Sequence, residues 1–101
     1  MNKKRQYRDF TEVMKDKLQN PEFAIAYLNE ALANEDRKVF LLALKDVIEA
    51  RGDIASFAEA AHISRQNIYR ILSEEGNPTL DSLSSIFNAM GLQMNLSLRM
   101  A

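Results

Sequence analysis

Arg65, Gln66 and Arg70 are the side chains of this sequence best suited to hydrogen-bond a partner that carries a fixed pattern of donors and acceptors. Arg presents a planar fork of donors, and Gln offers a donor and an acceptor together. Arg65 and Gln66 adjoin, and Arg70 follows one helical turn later, so a helix places them on one face. Ser64, Asn67, Tyr69 and Ser73 add hydroxyl and amide groups to the same stretch, and no Asp or Glu interrupts it. Nucleophilic chemistry has little to work with. There is no Cys and only one His, His62, which argues against a thiolate site, a metal centre or a His-based relay. Glu74 and Glu75 stand in a loop with no His or Cys beside them, and the three glycines are isolated. The expectation is a binding protein, not an enzyme, with no cofactor and no metal.

Two short helices must hold that face. In Ile54 to Ser73, Phe57 and Ala58 supply the apolar and small pair that one helix turns toward another. His62 falls at the turn four residues after Ala58, and Ile63 follows as an apolar plug. Ile68, Ile71 and Leu72 then recur at helical spacing. Ser64 stands where an N-cap belongs, and Ile63 with Ile68 forms a hydrophobic staple. His62 replaces the glycine common at such turns; a positive φ is expected there, which His tolerates better than most residues. This is the spacing of a helix-turn-helix, whose second helix enters the major groove of double-stranded DNA. On that reading Arg65, Gln66 and Arg70 contact base edges. Arg pairs with guanine, and Gln with adenine. Ser64, Asn67, Tyr69, Ser73 and the downstream loop residue Asn77 contact the phosphate–sugar backbone, which positions without reading sequence.

The chain has 101 residues, one domain with an appendage, and a net charge of −1. Residues 1–20 hold six basic and three acidic side chains (+3), residues 21–61 four and eight (−4), and residues 62–101 three of each. Non-specific DNA affinity grows with the phosphates neutralised, so non-cognate binding should be weak. The acidic middle suits either a solvated surface or a basic protein partner. No run of apolar residues is long enough to span a membrane, and no apolar signal core follows the basic start. A cytoplasmic protein is expected, nucleoid-associated when bound to its operator.

Residues 1–9 read as a flexible arm. A helix is expected from Thr11, its cap, to Gln19, with Phe10, Val13, Met14 and Leu18 on one side. Asn20-Pro21 restarts the chain into a helix reaching Ala33, with Phe23, Tyr27, Leu28, Ala31 and Leu32 as its stripe. A third helix opens at Asn34-Glu35-Asp36, carries Phe40, Ala43, Leu44, Val47 and Ile48, and stops at Gly52. Asp53 caps the first helix of the DNA-reading pair. Glu74 to Pro78 is a loop, and Thr79 caps a last helix with Leu80, Leu83, Ile86, Phe87 and Met90 inward, ending at Gly91. From Leu92 to Met100 apolar and polar residues alternate, which predicts a half-buried strand. The fold expected is mainly α: a lambda-repressor-like helix-turn-helix bundle (36–91) with an N-terminal arm and helical extension (1–35) and a short C-terminal β-strand (92–101).

YLNEAL at 27–32, FLLALKDVIEARG at 40–52 and ISRQNIYRILSEEGNPTLDSL at 63–83 together resemble the addiction-module antidote proteins. These are HigA-like type II antitoxins with an XRE (Cro/cI-type) helix-turn-helix. The resemblance runs over nearly all of the chain beyond the first dozen residues. It rests on PEFAIAYLNEAL combined with SRQNIYRILSEEGNPTL, because the helix-turn-helix alone is shared by many regulators. It maps Ser64, Arg65, Ile68, Tyr69 and Arg70 onto one motif and Gly76, Asn77 and Pro78 onto another. It implies an antitoxin that silences a RelE/HigB-like, messenger-cleaving toxin and represses its own operon as a homodimer on a palindromic operator. The alternatives are a stand-alone phage-type XRE regulator without a toxin, and an interaction module that no longer binds DNA.

Overall fold

A computed structural model of the chain describes residues 12–73 and 75–98. Six helices are present among them: α1 (12–18), α2 (Pro21–Leu32), α3 (Arg37–Arg51), α4 (Ile54–Ala61), α5 (Arg65–Ile71) and α6 (Leu80–Ala89). Thr11 and the arm before it lie outside the described residues, as do Glu74, Arg99 and Met100.

Side-chain caps start the helices, and most are where the sequence places them. Asn20 Oδ1 accepts from the N–H groups of Glu22 and Phe23 at 2.9 and 3.2 Å, ahead of Pro21. Asp36, Asp53 and Thr79 accept from Lys38, Ser56 and Ser82 at 3.0, 2.7 and 3.0 Å. Each cap satisfies an orphan donor of the first turn and contributes about 1 kcal/mol. At the other end of α6, Gly91 takes φ 75° and its N–H reaches the Asn88 carbonyl, while the Leu92 N–H reaches Phe87 at 2.8 Å. That is a Schellman closure, which needs a left-handed residue. Gly52, after α3, is extended instead.

One apolar core joins the helices. Leu18 from α1, Leu28 from α2, Leu44 and Ile48 from α3, Ile68 from α5 and Ile86 from α6 are all nearly or fully buried in it. Burial of each such side chain is worth about 1.5–3 kcal/mol. α2 packs on α3, α3 on α4, and α4 on both α5 and α6. Phe40 and Phe87 meet with ring centroids 6.4 Å apart and planes tilted by 59°, which ties α3 to α6. The Gln19 side-chain amide donates to the Ala50 carbonyl at 3.4 Å, fastening the end of α1 to the end of α3.

The expected C-terminal strand is not there: residues 92–98 form no strand. Leu96 and Leu98 are almost wholly exposed, at 102 % and 93 %. Alternation supplies only the side-chain pattern of a strand; a ladder needs a neighbouring strand, and none is present among the described residues. Three residues assigned inward also face out: Val13, Leu32 and Leu80, at 51 %, 62 % and 70 %. Leu32 ends α2 and Leu80 begins α6, so the apolar stripe there overruns the surface it packs against.

Candidate nucleic-acid interface

The turn between α4 and α5 fixes how α5 is presented. His62 is left-handed, with φ 59° and ψ 38°. Its N–H reaches the Glu59 carbonyl at 3.2 Å, and the Ile63 N–H reaches Ala58 at 3.1 Å. This is the same closure that Gly91 makes, here carried by a histidine. Ile63 then packs against the core, and Ser64 Oγ accepts the Asn67 N–H at 3.2 Å to start α5. Ile68 is fully buried and Leu72 nearly so, which anchors the inner side of α5.

That anchoring decides what points outward. At about 100° per residue, Gln66 and Arg70 form the stripe farthest from Ile68, flanked by Arg65 and Tyr69 on one side and Asn67 on the other. All five are exposed, as are Ser64, Ser73 and Asn77. Ser64, Asn67, Arg70 and Asn77 line one depression of about 500 Å³, together with Thr79 and Ser82 at the start of α6 and with Glu75 of the loop, the one carboxylate among its described lining residues. Arg65 and Tyr69 line a separate, larger groove of about 1150 Å³ on the other flank. Gln66 and Ser73 line neither of the two.

Two of the expected backbone-contact residues have partners that the sequence does not reveal. Ser73 lies beyond the end of α5, and its hydroxyl donates to the Arg70 carbonyl at 2.8 Å, so it first serves to finish the helix. Asn77 Oδ1 accepts from the Arg37 guanidinium at 3.2 Å, across 40 residues of sequence. Arg37 is therefore a further cation beside this surface. Its position after the acidic cap Asp36 gives no hint of that pairing. Gly76 holds the loop tightly against α5: a Cβ there would collide with the Ile71 carbonyl. On the other flank, bonds from the Ser56 backbone and hydroxyl hold the Asp53 carboxyl below the usual carboxylate range, with a smaller contribution from nearby Arg65.

The model of the family described as "probable addiction module antidote protein" matches residues 8–98. The chain belongs to that family. Membership in this antidote family implies a toxin partner of some kind. A curated relative, an uncharacterised protein of Haemophilus influenzae, is 37 % identical over 70 residues, which are 69 % of this chain and 71 % of that one. No solved structure is a significant match to this antidote-family chain. No helix among its described residues is long and apolar enough to cross a membrane.

Proposed function

We propose that this antidote is a HigA-like type II antitoxin of the XRE superfamily that binds operator DNA through α5. The observation that carries the reading is the outer face of α5, exposed and free of acidic groups, behind a left-handed turn and a buried Ile68. Gln66 and Arg70 lie at the centre of that face and are assigned the principal base contacts, with Arg65 at its edge. Ser64, Asn67, Tyr69, Ser73 and Asn77 grip the backbone. The protein works by binding, in the cytoplasm, and not by catalysis.

One such head makes few base contacts, each worth about 1–3 kcal/mol of discrimination. Specific sites exceed non-specific ones by about 4–10 kcal/mol. Two heads on a palindromic operator supply the difference, so the acting species is a homodimer with its recognition helices about 34 Å apart. The toxin is of the RelE/HigB type, an RNA-cleaving protein. Co-expression with the product of the adjacent reading frame tests the reading. Growth arrest by that product alone, its relief by this chain and co-purification of the two are expected. A neighbour that is harmless and does not co-purify would instead support a stand-alone phage-type XRE regulator.

A further inference from the structure

The groove of about 1150 Å³ on the Arg65 side of α5 meets the DNA-facing helix only at Arg65 and Tyr69; the rest of its lining has no part in the DNA reading. It exceeds the usual span of small-ligand pockets, about 300–1,000 Å³. α1, α3 and the start of α4 form its walls. Half-buried Met14 and exposed Ala55 and Tyr69 supply apolar surface over the buried Leu18 and Ile54, and Asp46, Glu49 and Asp53 supply carboxylates; Lys15 and Arg65 are the two cations among its lining residues. Two of the carboxylates are held in place. Tyr27 donates its hydroxyl to Asp46 at 2.9 Å, and the Ser56 N–H binds Asp53 at 2.7 Å. Burial first, and Asp46 second, push the Tyr27 phenol up to about 12, so it stays a donor.

We propose that this groove is the docking site for a basic, amphipathic segment of the toxin, and that its occupation withdraws Arg65 and Tyr69 from DNA. The inference rests on the antitoxin reading above and adds the site and its chemistry. The RNA-cleaving partner proposed above acts on a polyanion, whose phosphates Lys and Arg side chains neutralise. Fixed carboxylates beside apolar surface suit those side chains, whose charged heads pair at the rim while their methylene stems lie on Met14 and the Tyr69 ring. Because Arg65 and Tyr69 line the groove and also flank the outer stripe of α5, a segment seated there covers one edge of the DNA-facing helix. Toxin and operator therefore compete for the same head.

The test uses the full chain, the product of the adjacent reading frame, and the chain's own upstream DNA. Carbodiimide labelling should modify Glu49 and Asp53 in the free chain and spare them in the complex. Glu49→Lys, at an exposed helical position, should weaken partner binding at least tenfold without weakening operator retardation, since the added positive charge can only favour DNA. Added partner should raise the concentration of chain needed for retardation at least tenfold. Equal partner affinity of wild type and Glu49→Lys would overturn the proposal. So would carboxylates already protected in the free monomer, which would give the groove to the chain's own N-terminal residues. Protection that tracks self-association would give it to a second copy, with the same consequence. Absence of any complex with the wild-type chain would instead overturn the antitoxin reading itself.

Discussion

Replacing His62 isolates the turn that aims α5. Its side chain is exposed, so substitution removes no core packing and reads out the backbone alone. At φ 59° the residue sits in the left-handed region, which costs a non-glycine residue about 1–3 kcal/mol, most for β-branched ones. His62→Gly removes that strain but adds freedom to the unfolded chain, which returns about 0.5–1 kcal/mol. The net expected is a gain of about 0.5–1 kcal/mol. His62→Val places a branched Cβ in the same conformation and should lose about 2 kcal/mol. The gap between the two variants is then about 3 kcal/mol, or roughly 12–24 °C in Tm for a domain of this size. Thermal and urea unfolding followed by circular dichroism measure it. Operator retardation should survive in the glycine variant, because the turn keeps its hand. Equal stability of His62→Gly and His62→Val would refute the left-handed turn and the orientation of α5 that follows from it.

Gly76→Ala should destabilise by about 1–3 kcal/mol in urea unfolding, because the new methyl group meets the Ile71 carbonyl and the loop must move off α5. Tyr27→Phe should lose about 1 kcal/mol at neutral pH through the bond to Asp46. The Tyr27 phenol is raised from 10 to about 12 in the fold, so its stabilising effect is present below pH 10 and is lost as pH rises toward 12. Urea titrations at pH 8 and pH 11 should accordingly show the wild type losing its advantage over Tyr27→Phe. Asp53 has the opposite sign: its lowered pKa stabilises above the ordinary carboxylate value of 3.8, and this is lost as pH falls through that value and below. Asp53→Asn keeps the cap but should flatten that part of the acid limb in urea titrations between pH 5 and pH 2.5.

Local chemistry made most of the helical framework legible in the sequence. Asn20, Asp36, Asp53, Ser64 and Thr79 all cap helices where the residue types demand it, and His62 takes the positive φ expected of the turn. These features depend on neighbours within a few residues. The misreadings depend on distant ones. The alternation at 92–98 carries a strand's pattern without a strand's partner. Leu32 and Leu80 continue their stripes past the packed surface. The pairing of Arg37 with Asn77 and the groove between α1, α3 and α5 arise only when the helices assemble. The outer face of α5 was legible as a set, but its order was not. Which residues lie at its centre follows from the burial of Ile68, and that puts Gln66 and Arg70 ahead of Arg65.

Operator retardation by Arg65→Ala/Arg70→Ala addresses the central claim most directly. The two substitutions remove four arginines from a dimer. At about 1–3 kcal/mol for each base contact, the combined loss is at least about 4 kcal/mol, or roughly a thousandfold in Kd. The account predicts that the wild type retards its own upstream DNA at concentrations where the double variant does not. It also predicts that both unfold at the same urea concentration and co-purify with the same partner. A double variant that is equally folded and binds the operator as tightly as the wild type would contradict the assignment of α5 as the DNA-reading helix.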